Sequence, residues 1–110
     1  MATSTYKVLG QSAPSATTAT AAYTVPSSTQ AVISTITICN RASTSATYRI
    51  AIRPNGATLA NEHYIAYDAT VAGNDTVFLT VGITIDAADV VTIYASTANT
   101  SFNIFGVEIA

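Results

Sequence analysis

The sequence predicts an all-β chain, folded as a single β-sandwich or jelly-roll-like domain of about eight short antiparallel strands. Val and Ile together number 20 against three Leu, and with 19 Thr the β-branched residues fill 39 of 110 positions. Branching at Cβ restricts a side chain in a helix and suits the pleated surface of a sheet. Turn-forming residues recur every 8 to 14 residues, a spacing typical of two packed sheets.

The predicted strands follow one another along the chain, and turn-forming residues separate them. They span residues 5–9, 20–25, 31–40, 47–53, 62–68, 76–81, 90–96 and 101–109. The first ends at Gly10 and the second at Pro26. The strongest turn is Pro54-Asn55-Gly56, because Pro presets φ and Asn-Gly tolerates a positive φ.

Two of these strands alternate clearly, and the alternation predicts which side chains enter the core. In residues 47–53, Tyr48, Ile50 and Ile52 share one face, while Arg49, Ala51 and Arg53 share the other. In residues 62–68, Ile65 and Tyr67 share a face with His63, opposite Tyr64, Ala66 and Asp68. The predicted core consists of Ile33, Ile36, Ile38, Tyr48, Ile50, Ile52, Ile65, Val77, Leu79, Val91, Ile93, Phe102 and Ile104.

The domain is expected to span residues 1–110, with residues 1–18 as an extended N-terminal arm. Residues 8–40 carry no charge, and their centre is almost entirely Ala, Ser and Thr. Charged residues make up only 9% of the chain, against about 25% in ordinary soluble domains. So little charge predicts a surface that is partly covered by other copies of the chain or by other proteins.

Composition argues against several classes of partner. Four basic and six acidic residues give a net charge of −2, and no cluster of Lys or Arg provides the phosphate contacts that nucleic acids require. No apolar run approaches the roughly 18 to 20 residues needed to span a bilayer. With one cysteine, no intrachain disulfide can form, so packing or oligomerisation must supply the stability. We therefore expect neither nucleic acid nor membrane as a partner.

No constellation of residues predicts catalysis, a metal site or a cofactor. Cys39 and His63 are the only thiol and the only imidazole, too few for a tetrahedral zinc site and without an oxyanion loop for a Cys-His nucleophile. Asp86 and Asp89 lie three residues apart at a turn, but the alternating carboxylates of a calcium loop are missing. We therefore expect no enzymatic activity and no cofactor.

Two groups of residues are candidate assembly contacts. Tyr6, Lys7, Val8 and Leu9 lie on the first predicted strand, within the expected arm. Arg49 and Arg53 share one face of the fourth strand, where they mark either a contact surface or an ordinary solvated face.

Seven segments distributed along the whole chain carry a resemblance to a known group of proteins. They are residues 6–11 (YKVLGQ), 22–26 (AYTVP), 38–41 (ICNR), 49–54 (RIAIRP), 61–65 (NEHYI), 89–95 (DVVTIYA) and 102–109 (FNIFGVEI). In this order the sequence resembles small virion structural proteins of tailed bacteriophages, especially those that infect cyanobacteria and other marine bacteria. The group has no catalytic motif.

The resemblance implies a virion protein made in the host cytoplasm, at one of two locations. A capsid decoration (cement) protein would form a homotrimer at local threefold positions and bridge neighbouring copies of the major capsid protein. A tail fibre, baseplate or adaptor component is the alternative. The chain length favours decoration, because 110 residues do not provide a long fibre shaft.

A carbohydrate-binding β-sandwich module is a third interpretation of the sequence. Five tyrosines are available to stack on sugar rings, although the chain has no Trp. These residues are Tyr23, Tyr48, Tyr64, Tyr67 and Tyr94. The interpretation requires that several of these rings share an exposed face.

Overall fold

A computed structural model describes residues 2–110 and contains eight strands with two short 3₁₀ turns. The strands are β1 (Ser4–Ser12), β2 (Thr20–Thr24), β3 (Gln30–Asn40), β4 (Ala46–Arg53), β5 (Tyr64–Val71), β6 (Thr76–Ile85), β7 (Val90–Ala95) and β8 (Thr100–Ile109). The 3₁₀ turns, Pro54–Gly56 and Asn61–His63, both lie between β4 and β5. The predicted all-β class and number of strands are confirmed.

The strands form two antiparallel four-stranded sheets packed face to face. Sheet A has the order β1-β8-β3-β6 and sheet B the order β2-β7-β4-β5. The pairs β1–β8, β2–β7, β3–β6 and β4–β5 are nested in sequence, and successive pairs alternate between the two sheets. This is the connectivity of a jelly roll, in which a long hairpin is rolled into a sandwich.

The core lies between the sheets and consists mainly of β-branched side chains. Ile33 and Ile36 of β3, Ile50 of β4 and Ile104 of β8 are completely buried. Tyr48 of sheet B meets Phe102 of sheet A edge to face, with ring centroids 6.5 Å apart. Nine of the 13 predicted core residues are buried, and Ile52, Val77 and Leu79 pack against them while partly exposed. The core prediction therefore holds except at one position.

The exception is Ile65, whose predicted burial is wrong. Ile65 is 49% exposed on the outer side of sheet B, and its neighbour Ala66 packs against the core in its place. Strand β5 begins two residues later than predicted, after the 3₁₀ turn Asn61–His63. After this turn the inward and outward positions of β5 are exchanged relative to the prediction, because a shift of one residue exchanges the two faces of a strand.

A polar contact ties the two sheets together beside β1 and β2. Glu108 of β8 accepts a hydrogen bond of 2.6 Å from the Tyr23 hydroxyl of β2 and one of 3.3 Å from Lys7 Nζ. The hydrogen bond from Tyr23 lowers the pKa of Glu108. Burial, with a smaller effect of the neighbouring carboxylate, raises the pKa of Tyr23. Deprotonated Glu108 therefore stabilises this edge of the sandwich.

The N-terminal segment is an integral part of the sandwich. We expected residues 1–18 to form an extended arm; residue 1 lies outside the described part of the chain, and Ser4–Ser12 pairs with β8 along its whole length. Beyond β1, the Thr17 amide donates to the Ala95 carbonyl at the end of β7. In this structure the segment supplies an edge strand and a loop of the domain, and it does not project from it.

Candidate functional site

The outer face of sheet A is the first candidate surface. Three rows of paired residues cross all four strands. They are Tyr6–Val107–Val32–Thr84, Val8–Phe105–Thr35–Thr80 and Gln11–Asn103–Thr37–Phe78. No Asp, Glu, Lys or Arg occurs in these rows. The rows therefore form an uncharged surface of apolar, hydroxyl and amide side chains.

The most exposed aromatic rings of the chain's described part lie at the two edges of this face. Tyr6 on edge strand β1 is 84% exposed, and Phe78 on edge strand β6 is 69% exposed. Val8, beside Tyr6 on the outer face, is also exposed. Contiguous exposed apolar surface on a small domain is typical of protein interaction sites.

The four candidate contacts on β1 divide between the two sides of sheet A. Tyr6 and Val8 point outward, opposite Val107 and Phe105 of β8. Leu9 is buried at a bulge between Val8 and Gly10, and the Lys7 ammonium is paired with Glu108. The structure thus brings Tyr6 and Val8 together on one outward surface and gives Leu9 and Lys7 places in the packing of the domain.

The second candidate surface is the outer face of sheet B, where Arg49 lies between two tyrosines. Its guanidinium carbon is 4.2 Å from the ring centroid of Tyr67 and 4.3 Å from that of Tyr94. Arg49 Nε and Nη2 donate to the two carboxylate oxygens of Asp68 at 2.7 and 3.2 Å. The hydrogen bonds raise the pKa of Arg49 and lower that of Asp68. Arg49 thus holds both rings and one carboxylate in fixed positions.

A bulge in β5 explains how Tyr67 and Asp68 both reach Arg49. The register joins Tyr48 to Ala69 and Ile50 to Ala66, so two residues of β5 lie opposite Arg49 alone. Asp68 has a φ of 51°, in the left-handed region that Asp enters more readily than most residues. A bulge leaves an extra residue that redirects side chains. Here it presents a ring and a carboxylate side by side.

Two loops cover part of this outer face and form a cleft of about 220 Å³. Arg49, Tyr64 and Tyr94 line it on the sheet side together with Ala51, Thr92 and Ile93, and Thr17, Ala19 and Leu59 line it from the loops. Tyr64 also borders a neighbouring depression of about 270 Å³, which Asn61 and Tyr67 line. The Tyr64 and Tyr67 rings meet edge to face at 4.9 Å. Tyr64 therefore lines both the cleft and the depression.

Arg53, the other predicted contact arginine, holds one of these loops. Its Nε donates to Thr92 Oγ1 at 2.9 Å, and its Nη1 donates to the Ala57 carbonyl at 3.0 Å. Arg49 and Arg53 do share one face, as predicted from the alternation of β4. Both guanidinium groups are engaged within the chain, Arg49 with a carboxylate and two rings and Arg53 with the loop.

The five tyrosines considered as sugar contacts separate into two groups. Tyr23 and Tyr48 are buried between the sheets, whereas Tyr64, Tyr67 and Tyr94 cluster with Arg49 at the outer face of sheet B. The sequence pattern indicated these rings as candidates but gave no signal for Asp68 or Asn61. Phe78 was missed as well, although a large apolar residue on the Thr-rich face of an alternating strand is a readable signal of an interface.

The other chemically reactive side chains occupy separate places. Cys39 lies on β3 in sheet A, while His63 precedes β5 of sheet B and accepts a hydrogen bond from the Ala60 amide through Nδ1. Asp89 accepts hydrogen bonds from the Asn55 and Asp86 amides, and so stabilises two turns. Within residues 2–110 no group of three or more His, Cys, Asp or Glu residues could hold a metal ion.

Comparisons with known proteins add no relative: neither a protein-family model nor a curated protein matches the sequence. Among residues 2–110 there is no helix of the length and apolarity needed to cross a membrane.

Proposed function

We propose that this chain is a non-enzymatic structural protein of a tailed-phage virion, specifically a capsid decoration protein that forms a homotrimer and stabilises the shell. The observation that carries the proposal is the uncharged outer face of sheet A, with Tyr6 and Phe78 exposed at its edges. The resemblance of seven sequence segments to phage virion proteins supplies the biological setting. Jelly rolls also serve as viral capsid domains, which is an analogy at the level of the fold.

The absence of charge makes this face well suited to burial. Covering an ionised side chain requires removal of its hydration, which often exceeds the Coulombic gain of a new ion pair. Here the rows across sheet A offer mainly Val, Phe, Tyr and Thr side chains, with the amides of Gln11 and Asn103 in the third row, and burial of the apolar groups is favoured by the hydrophobic effect. Contact through this face would therefore be driven mainly by apolar burial, with little dependence on salt.

The size of the face matches a small specific interface. Four strands about 4.8 Å apart and about nine residues long, at roughly 3.3 Å per residue, cover on the order of 600 Å². Two fully covered faces would bury about 1,200 Å² together, which is at the lower limit of standard interfaces, and the three faces of a trimer would bury about 1,800 Å² shared among three contacts. A second copy of the chain is thus an adequate partner.

The positions of the two exposed rings suit head-to-tail contacts between copies of the chain. Tyr6 is on edge strand β1 and Phe78 on the opposite edge strand β6. When three copies turn this face towards a common axis, the β1 edge of each meets the β6 edge of the next. Head-to-tail contacts form a closed ring when the rotation between copies closes, and a rotation of one third of a turn gives the proposed trimer. Sheet B then faces outward, away from the axis.

Immunogold electron microscopy of the virus particles tests the proposal directly. Antibody to the purified chain is applied to purified phage particles from a lysate in which the protein is made. Regular labelling of the head shell is the expected result. Labelling confined to the tail would replace decoration by a tail or adaptor role, and unlabelled particles would contradict any virion role.

A further inference from the structure

We propose that the paired cavities around Tyr64 on the outer face of sheet B bind a neutral saccharide. Tyr64 borders both the cleft of about 220 Å³ and the depression of about 270 Å³. Three tyrosine rings and one asparagine line them: Tyr64 and Tyr94 for the cleft, and Tyr64, Tyr67 and Asn61 for the depression. This inference does not depend on the proposed virion function.

The charge of the site selects a neutral ligand. Arg49 is the charged residue that lines the cleft, and its guanidinium donates two hydrogen bonds to Asp68. The two charges therefore offset each other, and the donors that would recognise a carboxylate or phosphate are already directed at Asp68. An anionic ligand would have to displace Asp68, which would be left beside it as a repelling charge.

The chemistry of the lining matches a sugar ring. A pyranose has an apolar C–H face and a rim of hydroxyl groups, so it needs flat apolar surfaces beside hydrogen-bonding groups. Tyrosine provides both, since its ring is apolar and its hydroxyl is polar. Asn61 adds an amide at the depression, and Thr17 and Thr92 add hydroxyl side chains at the cleft. The small volume of each cavity suits one sugar residue at a time.

Contacts within the chain hold the rings of the site in place before any ligand arrives. The Arg49 guanidinium lies between the Tyr67 and Tyr94 rings at 4.2 and 4.3 Å, and Asp68 fixes the guanidinium in turn. Tyr64 packs on Tyr67 edge to face. Rings that are already ordered lose little conformational freedom on binding, which favours affinity for a small ligand.

A glycan array with the purified full chain tests the inference. The array carries neutral oligosaccharides of glucose, galactose, mannose and N-acetylhexosamines, together with sialylated and uronic-acid oligosaccharides. We expect binding to at least one neutral class. Binding to no glycan, or only to acidic glycans, would overturn the inference.

Matched variants then locate the site by calorimetric titration with the best neutral oligosaccharide. Tyr67→Ala should weaken the affinity about tenfold through lost stacking, and Asn61→Ala should weaken it several-fold. Phe78→Ala removes an exposed ring from the outer face of sheet A, outside both cavities, and should leave the affinity of each binding site unchanged. Circular dichroism melts verify that each variant is folded. Retention of full affinity by both site variants, or an equal loss in Phe78→Ala, would contradict the assignment.

Discussion

The aromatic rings on the outer faces of the two sheets differ in what they contact. On sheet B, Tyr67 and Tyr94 enclose Arg49, and two loops cover part of the same face. On sheet A, Tyr6 and Phe78 are exposed at the two edges of a face whose paired rows contain no charge. The rings on sheet B are therefore held by contacts within the chain, whereas Tyr6 and Phe78 on sheet A remain available to the partner chain that we propose.

Sheet A is closely packed on the side opposite its outer face, and a substitution at Gly106 should have the largest effect on this packing. A Cβ on Gly106 of β8 would collide with the Val32 carbonyl oxygen of β3 and approach Leu9 Cδ1 to 3.0 Å. We expect Gly106→Ala to lower the free energy of unfolding by about 2–4 kcal/mol. Urea titration followed by circular dichroism measures the loss.

Gly82→Ala is the matched control on the neighbouring part of the same sheet. A Cβ on Gly82 of β6 would meet no atom within 4 Å, so the free energy of unfolding should change by less than about 0.5 kcal/mol. Equal effects of the two substitutions would mean that sheet A is not packed as closely as the account requires.

Acid should weaken contacts elsewhere in the domain and spare the outer face of sheet A, because the carboxylates whose pKa is lowered lie outside that face. The pKa of Glu108 is held below its ordinary value of 4.5, chiefly by Tyr23, and that of Asp68 below 3.8 by Arg49. A lowered pKa stabilises the fold above the ordinary value, and the stabilisation is lost as the pH falls through the folded-state pKa. The melting temperature should therefore fall below about pH 4.5.

The variant Glu108→Gln measures how much Glu108 contributes to this loss of stability in acid. The variant removes one of the two carboxylates with a lowered pKa, so the melting temperature should fall less between pH 7 and pH 3 than it does in the original chain. Circular dichroism melts over this range check it, with Glu62→Gln as the control. An acid response identical to that of the original chain would show that the Tyr23–Glu108 contact does not contribute to stability.

The sequence predicted strand β4 correctly and strand β5 only in part, and the reason is physical. Strand β4 runs beside β7 without a register shift, so simple alternation gives the inward Tyr48 and the outward Arg49. Strand β5 starts after a 3₁₀ turn and bulges at Tyr67 and Asp68. Alternation cannot anticipate either irregularity, and Ile65 was therefore assigned to the wrong face.

The candidate site depends on pairings between distant parts of the chain, which a single sequence does not reveal. Asp68 reaches Arg49 across 19 residues, and Tyr94 reaches it from another strand. The sequence identified the rings as candidates, but only the register separates Tyr64, Tyr67 and Tyr94 from the buried Tyr23 and Tyr48. The low content of charged residues is evident from the sequence. Only the strand order shows that one face of sheet A carries uncharged rows of residues.

Sedimentation velocity of the chain and two matched charge variants tests the central claim most directly. Phe78→Glu places a charge on the open face of sheet A, and Ile65→Glu places one on the 49% exposed Ile65 of sheet B. We expect a trimer for the original chain and for Ile65→Glu. The self-association of Phe78→Glu should be at least about 100-fold weaker. A monomeric original chain, or a trimer that Phe78→Glu leaves intact, would contradict the claim that sheet A is the assembly surface.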